Sequence, residues 1–172
     1  MIYNEQDLEQ NAVNYITTMV VAAIKTAPKG KGINSLKTFV VTGEDKNKIA
    51  EYMKTKTERA SFKRDAGNII ESDAVILIGV KKVYIGLDCG LCGYPTCAEA
   101  QKADVYCVFN TIDFGIAIGS AVSSLGIFKI DNRVMYTIGV AVNELKLMPE
   151  EYQIIMGIPL KVSNKNIFFD RK

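Results

Sequence analysis

The chain has 172 residues, 48% of them hydrophobic and 23% charged, which suits a folded core and excludes disorder on composition. Its net charge of +2 argues against a nucleic-acid partner and against a polybasic membrane contact. It contains no histidine, which excludes Ser–His–Asp and Cys–His catalysis, HExxH zinc chemistry and Rieske clusters.

Residues 5–26 carry Leu8, Ala12, Ile16, Met19 and Ala23 at helical spacing and predict a helix. Ala27-Pro28 ends it, and KGKG follows as a flexible loop. Residues 38–42 are β-branched and aromatic and predict a strand. Residues 45–54 predict a second helix, with Ile49 and Met53 on one face, and a charged stretch then runs to Ile70. Residues 72–80 are almost continuously apolar, as in a strand covered on both faces. Pro95 opens a short helix through Glu99 or Lys102. Residues 105–109 predict a strand carrying Cys107. Residues 111–125 predict a helix with Gly115, Gly119 and Ser123 on one face, a spacing that permits close helix packing. Asp131 or Asn132 is read as the cap of the next helix, which bears a Met135, Ile138, Val142, Leu145 stripe. Residues 152–162 and 167–169 read as extended.

The apolar runs 17–24 and 116–128 are shorter than the roughly 20 residues that a bilayer requires. The start, MIYNEQDLEQN, is polar and acidic, unlike a secretory leader. The expectation is a cytoplasmic, single-domain chain over 1–172 with no membrane partner. Its fold class is α/β (α+β), a mixed sheet flanked by helices, with a cysteine-rich segment at 86–109.

All four cysteines, Cys89, Cys92, Cys97 and Cys107, fall in that segment as Cys-x2-Cys-x4-Cys-x9-Cys. Where thiols stay reduced, such a group points to metal or redox chemistry. Gly90 and Gly93 allow sharp turns between the cysteines, and backbone N–H groups there can face anionic sulfur. A helix beginning near Cys97 favours its thiolate. Three readings stand: a [4Fe–4S] or related cluster, a four-thiolate zinc site that holds the fold or binds a partner, and thiols or disulfides with no shared ligand. Lys81, Lys82 and Lys102 lie close in sequence and could moderate a cluster's charge, guide an acidic partner, or serve solubility alone.

The text CGLCGYPTCAEA resembles the CxxCGxxxCxxxA signature of the four-cysteine cluster domain of corrinoid iron–sulfur proteins and of a membrane-associated ferredoxin-type electron-transfer subunit. Cys89, Cys92 and Cys97 match it, while the gap to Cys107 is shorter than in those domains. Nearly the whole chain resembles a bacterial and archaeal family described as containing a ferredoxin-type domain. APKGKGINSLKTFVVTGE, the cysteine run, DFGIAIGSAVSSLGI, DNRVMYTIGVA and GIPLKVSNKNIFFDR carry that likeness. Ala27-Pro28, the loop to Asn34, TFVVTGEDKNKIAEYM and Gly157-Ile158-Pro159 are similar to the framework of flavin-dependent nitroreductases. That likeness implies a nitroreductase-like fold, bound FMN with Lys29, Asn34 and Arg171 as contacts, and a homodimer joined through helix 111–125 and the Met135 stripe. The family's N-terminal arginines are absent, since the first arginine is Arg59, and Ser35-Leu36 replaces its aromatic motif. The functional expectation is an iron–sulfur redox protein carrying electrons to or from a redox partner protein, with a cluster-plus-flavin oxidoreductase as the extended form. The alternative is a non-enzymatic four-cysteine zinc module.

Overall fold

The computed structural model describes residues 1–169. Asn4 opens α1 (Glu5–Thr26) by accepting the Gln6 N–H at 3.2 Å, and Glu5 and Asp7 complement the helix dipole. The buried line of α1 is Val13, Ile16, Thr17, Val20 and Ile24. Leu8 and Met19 are exposed, because two apolar lines cross at Ile16 and periodicity alone does not choose between them.

After a short 3-10 turn at Gly30–Gly32, the remaining elements are β1 (Leu36–Val41), α2 (Gly43–Lys54), α3 (Ala60–Glu71), β2 (Ala74–Val80), α4 (Cys97–Lys102), α5 (Val108–Ile127), β3 (Asp131–Asn132), α6 (Tyr136–Glu144) and β4 (Ile154–Lys161). The strand order is β1-β2-β4-β3. The α+β class with flanking helices is as expected. The mixed sheet is corrected, because every described pairing is antiparallel. The apolar run of β2 comes from cover on both faces. Ala74, Ile76, Ile78 and Val80 face α1 and α5, whereas Val75 and Leu77 face α2, α3 and α6.

Several local expectations change. The charged stretch before β2 is the helix α3, which buries Phe62, Ala66 and Ile69 at helical spacing. Residues 105–109 are not a strand, and Cys107 is the N-cap residue of α5. Asp131 and Asn132 lie in β3, and Met135 precedes α6 instead. Residues 167–169 form a turn, in which Asn166 Oδ1 accepts the Phe168 N–H at 3.0 Å.

The inner face of α5 is Asn110, Asp113, Phe114, Ala117, Ala121 and Leu125. Gly115, Gly119 and Ser123 lie on its exposed side, so the small-residue face does not serve packing within the chain. By length and composition α5 is long and apolar enough to cross a bilayer, which corrects the count made from the shorter apolar run. Its inner face is packed on α1 and the sheet. Met135, Ile138 and Val142 are buried in the opposite layer, so that stripe is not available to a dimer interface.

The packing of α6 on β4 is close enough to require glycine on both sides. A Cβ on Gly139 would sit 1.8 Å from Ile155 O, and one on Gly157 would sit 2.4 Å from Ile138 Cγ2. The first obstacle is main chain near the start of β4, paired to β2, and cannot swing aside. Gly139→Ala should therefore destabilise the protein by about 3 kcal/mol or more despite the better helix former. A denaturant midpoint equal to that of the wild type would contradict this contact.

Candidate metal centre

Beyond β2 the chain continues beside β1, where Lys81 N–H donates to Ser35 O at 3.1 Å. Here it meets the first turns of α5. Asn110, fully buried, donates from Nδ2 to Ser35 Oγ at 2.8 Å, and its Oδ1 accepts Val83 N–H at 3.4 Å. Asp113, 4% exposed, accepts Gly30 N–H on Oδ2 at 2.9 Å. Lys31 Nζ donates to Gly86 O at 2.8 Å. The early loop, the start of the cysteine segment and the helix that follows Cys107 thus meet at one junction.

From that junction the cysteine segment loops outward. Gly86, Gly90 and Gly93 all have positive φ, as does Asp88 at 47°, a conformation that aspartate tolerates better than most residues. Gly93 N–H closes a turn on Gly90 O at 3.0 Å. Asp88 Oδ1 accepts Cys97 N–H at 2.6 Å, which draws the start of α4 towards the residue beside Cys89. Thr96 caps α4 through Glu99 N–H at 3.2 Å. Asp104, at φ 53°, ends it, with Val105 N–H returning to Ala100 O at 3.3 Å.

Cys89 is exposed, Cys92 and Cys97 are half-buried and Cys107 is buried, all as free thiols. Cys97 is the first residue of α4 and Cys107 the residue before α5. Among the described residues no three Cys, Asp or Glu side chains are gathered at metal-binding distance. The donor set is one of soft thiols and fits zinc, cobalt or an iron–sulfur centre.

Of the basic residues near the segment, Lys82 pairs with Asp104 Oδ1 at 2.7 Å, and that bond raises its pKa. Lys102 is exposed and Lys81 half-buried. Lys29 is not presented to a ligand. Its Nζ donates to Ile24 O, Lys25 O and Ala27 O at 3.2, 2.9 and 2.7 Å, closing the C-terminal end of α1. Burial lowers its pKa and neighbouring Lys25 adds to this, with Asp113 opposing. Asn34 is exposed and borders a groove with Ile24, Lys25, Leu36 and Lys37. Arg171 lies outside the described residues. Sequence reading missed Tyr84, Asp88, Asn110 and Asp113. The last two were signalled as an amide and a carboxylate in the first turns of a largely apolar helix.

These features define a nitroreductase-like α+β scaffold with a four-cysteine segment placed between a central strand and a layer helix. Nitroreductase CinD from Lactococcus lactis, solved with nicotinic acid, superposes with a TM-score of 0.62 at 15% identity, over 95% of this chain and 81% of that one. A nitroreductase with bound FMN from Desulfitobacterium hafniense gives 0.59 at 13% identity, over 96% and 81%. Nitroreductase A from Vibrio parahaemolyticus gives 0.58 at 12% identity over 88% of this chain, which spans 60% of that protein's length. An uncharacterized protein of Archaeoglobus fulgidus is 36% identical over 99% of this chain and 98% of its own length. The family described as "uncharacterized protein containing a ferredoxin domain" (DUF2148) matches residues 103–171, a span that includes Cys107 alone of the four cysteines. The chain belongs to this family.

The tie between Asp113 and Gly30 predicts a local effect. Asp113→Ala removes a charge-assisted acceptor from a partly buried N–H, so tryptic cleavage after Lys29 or Lys31 should quicken by about tenfold. Cleavage at the wild-type rate would show that Asp113 does not hold the loop.

Proposed function

We propose that this chain is an electron-transfer protein that holds a [4Fe–4S] cluster on Cys89, Cys92, Cys97 and Cys107. One observation carries the reading: all four soft donors lie in a single segment whose two ends are fastened together at the start of α5. The family's ferredoxin description and the redox enzymes that share the fold support it. When bound, such a cluster supplies one-electron transfer at a potential set by its hydrogen bonds, charge and solvent access.

The chain's own residues serve that chemistry in three ways. The starts of α4 and α5 place Cys97 and Cys107 at the two ends of the last gap of the motif. Asp88 fixes the Cys97 end of the loop. The exposed rim, with Leu87 and Leu91 on either side of Cys89, leaves the site open to a redox partner protein. FMN fits the described residues less well, because the ammonium groups of Lys29 and Lys31 are engaged on main-chain carbonyls.

Anaerobically purified protein should be brown, with about four irons and about four sulfides per chain. Cys89→Ala, Cys92→Ala, Cys97→Ala and Cys107→Ala should each lose that content. One zinc per chain without sulfide would instead support the structural module. A flavin spectrum would restore the cluster-plus-flavin oxidoreductase.

A homodimer is proposed across the outer faces of α1 and α5, where Tyr15, Met19, Ile112 and Ile116 are exposed. Sedimentation at micromolar concentration should give twice the chain mass, and a monomer mass would reject it.

A further inference from the structure

The last gap of the cysteine motif is where the chain leaves α4, turns and enters α5. It is fastened by the residues that precede the cysteine loop. Lys82 Nζ donates to Asp104 O at 2.8 Å and lies 4.9 Å from the centre of the Tyr106 ring. Its partner Asp104 is 81% exposed, and an ion pair of that kind is weak. Tyr84 Oη donates to Val105 O at 2.9 Å in a partly buried setting, where a lost partner is more costly. Val105 stands two residues before Cys107. Burial raises the pKa of Tyr84, Asp104 adds to this and Lys82 opposes it.

We propose that Tyr84 is the positioning residue of the cysteine site: its hydroxyl ties down the Val105 carbonyl and so holds Cys107 within reach of the centre that Cys92 binds. This rests on the four-cysteine reading above. Groups outside the ligand set that orient metal ligands are commonly worth 10- to 100-fold in metal affinity. Tyr84 touches no donor sulfur through its hydroxyl; it acts through the main chain. Its side chain is half-buried, and phenylalanine preserves that bulk while removing the hydrogen bond.

Tyr84→Phe is compared with the wild type in two measurements. In the reduced, metal-free protein, maleimide labelling is followed at each cysteine by mass spectrometry. Labelling of buried Cys107 should quicken by about tenfold, while exposed Cys89 should react at its wild-type rate. With cobalt(II) as probe, affinity should fall by about 10- to 100-fold. Thiolate-to-cobalt charge-transfer absorption per bound cobalt should also drop by about one quarter, as three sulfurs replace four. Unchanged Cys107 labelling, an equal rise at all four cysteines, or unchanged affinity in a wild type that binds cobalt would each overturn the proposal. If the wild type binds no cobalt, the four-cysteine reading fails, and Cys107 labelling still decides whether Tyr84 holds that residue.

Discussion

Two polar side chains buried at the start of an apolar helix determine how this protein is put together around its cysteines. Asn110 and Asp113 are both almost wholly removed from solvent, and leaving either unpaired would cost a few kcal/mol. Their partners are the Ser35 hydroxyl, the Val83 N–H and the Gly30 N–H. The helix can therefore enter the layer in one orientation and at one depth. That entry places Cys107, seats the loop before β1 and sets the path of the chain as it leaves β2.

The scaffold on either side of this junction is well covered. β2 is buried on both faces, and the helix layers close over it. The cysteine loop is its opposite. Residues 86–91 are all exposed, and turns, left-handed residues and single hydrogen bonds shape the loop rather than packing. Such a segment belongs to the low-stability end of a fold. Binding a metal would supply the missing order, because ligand binding and local folding share one free energy. The helix framework carries one buried thiol, Cys107, and the exposed loop with the start of α4 carries the other three.

Much of this was legible in the sequence. The apolar run of β2, the 3-4-3 stripe of α6 and the pairing of Ile49 with Met53 in α2 all mark buried faces that the fold uses. The cysteine spacing and the turn glycines located the segment. What was not legible has physical causes. The residues around Cys107 have strand propensity, but an approach tied to Tyr84 and a long helix beyond override it. Asp104, Lys129 and Lys146 each follow a helix with positive φ, and without the usual glycine those stops leave no mark in the sequence. The likeness to nitroreductases implied Lys29 as a flavin contact, yet its ammonium closes the end of α1. Lys46 is likewise buried, donating to Ile69 O, Ile70 O and Ser72 O where α3 ends, a role that no pattern of charges announces.

The comparisons sharpen the same contrast. The chain shares its scaffold with nitroreductases of low identity, while its cysteine segment stands where the sheet hands the chain to α5. Fold likeness alone does not assign chemistry; the site has to do so through its own donors. Cadmium NMR of the reduced protein titrated with one equivalent of cadmium reads those donors directly. The account predicts a single resonance in the range of all-thiolate coordination, displaced in Cys107→Ala. A resonance in the mixed sulfur–oxygen range, or one indifferent to the loss of Cys107, would contradict it.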